Sequence, residues 1–262
     1  MRSETTDNSP TCNVAAVVRA ARQFPRYVGA GWIVSIAVAL VGLLLFHGAS
    51  VAFAHGIGGR DAAFVAATKG ADLLPFMYLG AKHMVTGYDH LLFIFGVIFF
   101  LYRLRDVLIY VTLFSIGHSI TLLAGVLLKI DVNAYLVDAI IGLSVAYKAF
   151  DNLGGFKSVF GVQPNNKIAV AGFGLIHGFG LATKLQSLRL NGNGLVANMI
   201  GFNIGVEIGQ LIALAAFLLI MLQWRRSASF ERYAVAVNAL ILTAGFMLIE
   251  YQLAGYFGAG RV

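Results

Sequence analysis

The sequence has little of what a soluble or disulfide-stabilised protein needs. Charged residues make up 12% of the 262 residues, whereas soluble domains carry roughly 25%. Its single cysteine, Cys12, excludes a disulfide framework and a metal site built from paired cysteines. Only four prolines are present, which favours long uninterrupted helices. These shortages exclude an ordinary soluble globule and a disordered chain. Despite the net charge of +7, they also argue against a nucleic-acid binder.

Apolar and small residues are abundant instead. Hydrophobic residues make up 59% of the chain and 30 residues are glycine, which is more frequent in membrane helices than in soluble ones. The sequence therefore predicts an all-α fold, a polytopic membrane helix bundle with six core transmembrane helices. The expected spans are Leu74–Tyr102, Val107–Leu128, Tyr135–Phe150, Ile168–Ala182, Leu195–Trp224 and Tyr233–Phe257.

Residues 1–54 are predicted to be a basic N-terminus followed by a signal peptide or a signal-anchor helix. The segment Tyr27–Ala54 contains no charged residue and ends in an Ala-x-Ala pattern before His55, as secretory signals do. Because the apolar run exceeds the usual length of about 7–15 residues, a retained first transmembrane helix is the alternative. Cleavage after Ala54 would leave residues 55–262 as the transmembrane bundle.

The distribution of Lys and Arg predicts the orientation in the membrane. If the N-terminus is cytoplasmic, the inner segments carry more than half of the 19 basic residues. Cytoplasmic loops are the ones that carry this excess. We therefore expect a bacterial inner-membrane protein with a cytoplasmic N-terminus and a periplasmic C-terminus.

Several ionisable residues fall at or inside the predicted spans, where each costs about 2.5–3.5 kcal/mol on insertion scales. They are His83, Asp89, His90, His118, Asp138, His177 and Glu207. Groups at this depth usually face the bundle interior and have a function. We expect no basic partner for the acids at the same depth, because Lys148 is predicted to snorkel to the inner interface. Imidazoles and carboxylates of this kind suit a divalent cation or a proton.

The segment from His83 to His90 raises a question of geometry. On a straight helix the two residues lie about 10 Å apart along the axis, too far to share one ion whose metal–nitrogen bonds are about 2 Å long. Either the helix breaks near Gly87, or the two histidines serve successive positions on a path. Asp89 would orient an imidazole or bind the ion directly. The alternative interpretation is a pair of interfacial histidines at a helix entrance.

Two further histidines, His118 and His177, lie near the middle of their predicted spans at similar depth. A single core histidine is more often structural, but two beside acids on other helices indicate a functional site. Ser115 lies one turn before His118 and Thr121 one turn after it, and both are expected along the path.

The span Leu195–Trp224 carries two stripes of residues. Glycines spaced by four predict close helix packing; they are Gly201, Gly205 and Gly209. The second stripe holds Asn203, Glu207 and Gln210, of which Glu207 is predicted to be a metal ligand, a proton carrier or a protonated hydrogen-bond donor. A purely structural contact with a neighbouring histidine is the alternative. Asp138 lies nearer the outer end of its own helix and is expected beside the path.

The motifs around these residues resemble the HupE/UreJ family of membrane proteins, which are linked to hydrogenase and urease maturation. The matching segments follow in order over about residues 80–210: His83-x5-Asp89-His90-Leu91-Leu92-Phe93, Gly117-His118-Ser119-Ile120-Thr121-Leu122, Phe173 to Gly180, and Gly201 to Gln210. The resemblance implies a signal followed by about six helices and uptake of nickel or cobalt. It also implies that His83, Asp89 and His90 handle the ion.

One position departs from the nickel-type members of that family. Their motif F-H-G-x-A-x-G-x-E ends in a glutamate, whereas Lys184 stands at the matching position here. The chain therefore resembles the second branch of the family, and Glu207 is the expected source of the carboxylate.

The leading hypothesis is a permease for a divalent transition metal, with nickel or cobalt first and zinc or copper also compatible with these ligands. No Walker motif is present, so ATP is not expected to drive it. The alternatives are a metal-holding accessory subunit of a larger membrane complex and an intramembrane metal-dependent hydrolase, and an enzyme is not the expectation. The expected partners are the lipid bilayer, the metal ion, and complex subunits or further copies of this chain.

Overall fold

The computed structural model describes residues 59–187 and 192–259, which form helices and no strand. The helices are α1 Gly59–Ala67, α2 Leu73–Thr86, α3 Tyr88–Ile98, α4 Leu104–Leu127, α5 Ala134–Asn152, α6 Gly155–Phe160, α7 Asn166–Ser187, α8 Leu195–Trp224 and α9 Ala228–Ala259. The predicted all-α class is therefore confirmed for these residues. The predicted signal segment, its cleavage after Ala54 and the role of His55 lie outside them.

Four of the described helices are long and apolar enough to cross a membrane. They are Leu104–Leu127, Asn166–Ser187, Leu195–Trp224 and the stretch Ala228–Gly258. The span predicted at Leu74–Tyr102 is divided instead into α2 and α3. That α2–α3 and α5 also cross the bilayer stays a prediction. The last helix begins five residues before the predicted span, at Ala228, because hydropathy marks the apolar part of a helix rather than its end.

The long helices pack as three pairs, namely α4 with α7, α2 with α8, and α5 with α9. The α4–α7 and α2–α8 pairs are parallel, because later residues of one helix face later residues of the other. Gly117 faces Ala171 and Gly125 faces Ala182 in the first pair; Gly201 faces Leu73 and Gly209 faces Ala81 in the second. The α5–α9 pair is antiparallel, since Asn152 near the end of α5 bonds Asn238 near the start of α9. In these directions successive long segments run opposite to one another, with α2 and α3 counted as one segment.

Glycine allows the parallel pairs to touch backbone to backbone. A Cβ atom at Gly205 would lie 1.9 Å from the carbonyl oxygen of Met77, and one at Gly201 would lie 2.6 Å from that of Leu73. Such small-residue interfaces bring membrane helices together without a hydrophobic driving force. The packing face predicted from the glycines of α8 is therefore confirmed.

The short helix α3 lies at the centre of these pairs. It contacts α2, α4, α5, α8 and α9, and seven of its 11 residues are buried. Arg225, directly after α8, holds the last carbonyl of α3 and two carbonyls in the turn that follows. It donates hydrogen bonds to Ile98 at 2.5 Å, Phe99 at 2.8 Å and Leu101 at 3.0 Å. Basic side chains commonly satisfy the free carbonyls at a helix C-terminus in this way. The C-terminal end of α3 is thus tied to the end of α8.

The expectation that Lys148 snorkels to the interface is wrong. This residue is 7% exposed, and its Nζ atom lies 2.5 Å from Asp151 Oδ2. Asp151 also accepts hydrogen bonds from Gln163 and Asn166. A buried charge is tolerated where it is paired and hydrogen-bonded; here the last turn of α5 supplies the carboxylate, and the start of α7 and the loop before it supply the amides.

Candidate metal site

The break between α2 and α3 decides where the first two histidines lie. Gly87 separates the helices in an extended conformation, with φ −75° and ψ 100°. The ring centres of His83 and His90 are consequently 5.2 Å apart, about half their separation along a straight helix. Of the two alternatives derived from the sequence, the broken helix is the one that the structure contains.

His90 is the centre of a group of four imidazoles, here called the imidazole cluster: His83, His90, His118 and His177. The ring of His90 lies 5.0 Å from that of His177 and 5.9 Å from that of His118, centre to centre. These four histidines lie on α2, α3, α4 and α7, respectively. Three of its members are at most 3% exposed, and His83 is half-buried. The structure thus brings together histidines from four helices that span almost 100 residues of the sequence.

Hydrogen bonds orient two of these rings. The Nδ1 atom of His90 lies 2.8 Å from Asp89 Oδ1, and that of His177 lies 2.7 Å from the carbonyl oxygen of Phe173. Because both partners are acceptors, each Nδ1 carries the proton, and the neutral ring keeps its lone pair on Nε2. Among the described residues, neither Nε2 atom has a hydrogen-bond partner. Metal-binding histidines are oriented in this way by a carboxylate or a carbonyl.

His118 has no such orienting partner in the described part of the chain. Its side chain is 1% exposed, and neither ring nitrogen forms a hydrogen bond within residues 59–187 and 192–259. Buried polar atoms are rarely left unpaired, and those that are point to a bound water, an ion or a functional role. His118 therefore adds a third ring with available nitrogen atoms to the cluster.

The ring separations fit a shared ion, whereas the ligand atoms do not converge on one point. Two imidazoles bound to one metal have ring centres about 5 Å apart, given metal–nitrogen bonds of about 2.1 Å and a tetrahedral angle. In the part of the chain that the structure describes, however, no three His, Cys, Asp or Glu side chains are placed to hold one metal ion. Instead, each of the other three rings lies beside the ring of His90.

A comparison of the chain with models of known protein families supports the resemblance inferred from the motifs. The family model described as HupE / UreJ protein matches residues 59–259. This chain belongs to the HupE/UreJ family. The resemblance inferred from the motifs is confirmed, and the matched region contains every described helix. No curated protein and no solved structure matches the chain.

Two aromatic residues of this HupE/UreJ protein, missed by the sequence reasoning, support the imidazole cluster. Phe93 and Phe114 lie 5.2 Å apart, and each is within 5.3 Å of His177, measured between ring centres. The sequence could have indicated them, because Phe93 follows His90 by one turn and Phe114 precedes His118 by one turn. Residues three or four apart share a helix face. They form an apolar floor beneath the rings.

Gln210 lies beyond this floor. It lines a small cavity together with Phe93, Phe114 and Tyr110. Its side chain is 1% exposed and donates a long hydrogen bond of 3.4 Å to the carbonyl of Val111. Its Oε1 atom is buried without a partner among the described residues. The predicted path residue therefore lies next to the floor of the imidazole cluster rather than in it.

The remaining predicted path residues have separate environments. Thr121 donates a 2.6 Å hydrogen bond to the carbonyl of Leu175, which joins α4 to α7 between their histidines. Ser115 Oγ and Asn203 Oδ1 are buried without hydrogen-bond partners in the described ranges. Glu207 is half-buried and forms no hydrogen bond or ion pair with the described residues, so its assignment as a ligand stays a prediction.

Asp138 overturns the expectation that the acids of the spans have no basic partner. Its Oδ2 and Oδ1 atoms lie 2.8 and 3.1 Å from Lys184 Nζ. The side chains are 9% and 18% exposed, respectively. Helical periodicity could not reveal this pair, because Asp138 belongs to α5 and Lys184 to α7, and the two meet only through helix packing.

Proposed function

We propose that this HupE/UreJ protein is a membrane permease for a divalent transition metal, with nickel and cobalt as the first candidates. The observation that carries the proposal is the position of His90: its ring is oriented by Asp89 and contacts three other imidazoles at the centre of a bundle of apolar helices. The metal ion is the transported substrate, and the imidazole cluster is the part of the path that handles it.

The ligand chemistry supports this class of substrate. The Nε2 lone pairs of His90 and His177 are the donors that nickel, cobalt, zinc and copper(II) accept readily. Asp89 supplies a negative charge directly beside the first of these rings. A divalent ion that loses its hydration shell inside a membrane needs both strong donors and a compensating charge, and this combination provides both.

The backbone supports transport as well. Substrate and ion sites in many transporters lie where a transmembrane helix is interrupted near the middle of the bundle. The break at Gly87 is of this kind, since it lies beside the central helix α3 and directly between His83 and His90. Conduction further requires sites that bind an ion without retaining it. Imidazoles that meet in pairs around His90 suit a stepwise transfer of the ion.

Uptake of radioactive nickel and cobalt tests the proposal in cells or proteoliposomes that contain the full chain. We expect His90→Ala to abolish uptake without loss of membrane insertion. Thr243→Val is the matched control, because Thr243 is a buried polar residue on α9 whose hydroxyl donates a hydrogen bond to the carbonyl of Ala239 on the same helix. Unchanged uptake in His90→Ala would contradict the proposal.

Elemental analysis of the purified protein separates this function from the alternatives. A permease should release its substrate during purification without chelators. About one tightly held ion per chain would instead favour a metal-holding subunit or a metal-dependent hydrolase, because such sites keep their metal.

A further inference from the structure

The ion pair of Asp138 and Lys184 lies next to the imidazole cluster along α7. Lys184 follows His177 by seven residues, so both occupy nearly the same face of the helix, about 10.5 Å apart along its axis. Gly180 lies between them, and a Cβ atom built there would be 3.4 Å from Asp138 Oδ1. The Asp138 carboxylate on α5 thus lies against α7 about one turn after His177.

Glycine provides the room for this carboxylate. A Cβ at Gly180 would also lie 2.9 Å from the side chain of Ile141 and 3.3 Å from that of Val137. Those contacts are closer than α5 tolerates without a shift of its side chains. The absence of a side chain at position 180 therefore allows α5 to place an acid beside the face that carries His177.

Stabilisation of the α5–α7 contact does not by itself explain why an ion pair is buried here. Removing two charges from water is costly, and buried pairs are often no more stabilising than apolar residues of similar size. The α5–α7 contact already includes apolar side chains at Gly180. Lys184 is also the more exposed member, 18% against 9%, and its long flexible stem allows the ammonium group to move away.

We propose that Asp138 is a cation-binding carboxylate at the approach to the imidazole cluster, and that Lys184 occupies it as a tethered counter-cation when no metal is bound. A divalent ion reaches His177 by displacing the ammonium group from Asp138. The proposal rests on the proposed permease function and adds the residue that receives the ion and the residue that competes with it.

Metal binding to the purified full chain, measured by calorimetry with cobalt and nickel, tests this competition. We expect Asp138→Asn to weaken binding about tenfold, and Lys184→Gln to strengthen it by a similar factor, where tenfold corresponds to about 1.4 kcal/mol. The double variant should bind like Asp138→Asn, because Lys184 acts only through that carboxylate. Metal should also raise the melting temperature of Lys184→Gln by more than that of the unmodified chain.

Lys148→Gln is the matched control. It breaks the other buried Lys–Asp pair of α5, in which Lys148 and Asp151 are 8% and 5% exposed. This variant should lose stability but keep its metal affinity. If Lys184 has only a structural role, Lys184→Gln will behave in the same way and the proposal is overturned.

The remaining outcomes are also decisive. Metal affinity of Asp138→Asn equal to that of the unmodified chain overturns the proposal, even if Lys184→Gln does not fold. If the unmodified chain takes up metal, His90→Ala does not, and Asp138→Asn behaves normally, this inference alone fails. If His90→Ala also takes up metal, the permease assignment to the imidazole cluster fails.

Discussion

The ring of His83 lies 5.2 Å from the ring of His90, although six residues separate them in the chain. This contact exists because the backbone turns at Gly87 instead of continuing the helix. A cluster of imidazoles built on a broken helix is sensitive to the residue at the break, and this leads to the first prediction.

Gly87→Ala should lower the affinity for nickel or cobalt several-fold. A Cβ atom at this position would lie 3.1 Å from the carbonyl oxygen of His83 and 3.2 Å from His90 Nδ1, so the two residues must shift apart. Calorimetric titration of the purified variant measures the change. Gly172→Ala is the control, because nothing lies within 4 Å of a Cβ there. Equal affinities for the two variants would contradict the role of the break.

Asp89→Asn should reduce metal affinity about 10- to 100-fold, the range found when the partner of a metal-binding histidine is removed. The carboxylate accepts a hydrogen bond from His90 Nδ1–H and supplies a negative charge, and the amide removes that charge. Uptake and titration should fall together, while the protein inserts normally. A variant that binds metal as the unmodified chain does would show that the Asp89 carboxylate has no part in metal binding.

Gly205→Ala should destabilise the protein by about 1–3 kcal/mol or more, because overpacking forces backbone shifts. Its Cβ would lie 1.9 Å from the carbonyl oxygen of Met77, a backbone atom that cannot rotate away. Thermal unfolding in detergent measures the loss, with Gly172→Ala again as a control in an open position. An unchanged melting temperature would mean that α2 and α8 are packed less closely than the structure shows.

Glu207→Gln tests the remaining carboxylate assigned from the sequence. If Glu207 carries the ion or a proton along α8, uptake should be lost, because a neutral amide cannot balance a cation. Insertion should persist, since the change adds no charge. Glu231→Gln on the exposed surface of α9 is the control. Normal uptake in Glu207→Gln would remove this residue from the path and leave the charge to Asp89 and Asp138.

Much of the fold followed from local properties of the sequence. Composition and apolar runs predicted the membrane helices, because a span must be both long and apolar. The glycines of α8 predicted a close helix contact, and the motif from His83 to His90 led to the HupE/UreJ family. Hydropathy could not show where α2 ends or that α9 starts at Ala228, since helix bounds depend on backbone hydrogen bonds as well as on polarity.

The sequence by itself determined the helical class of the protein, its family and the histidines to examine. Only the tertiary structure decided that His90 is the centre of the four imidazoles, that Phe93 and Phe114 lie beneath them, and that Lys184 pairs with Asp138. The physical reason is that helical periodicity assigns a residue to a face of its own helix. Which helix that face meets, and at what height, depends on the packing of segments distant in sequence.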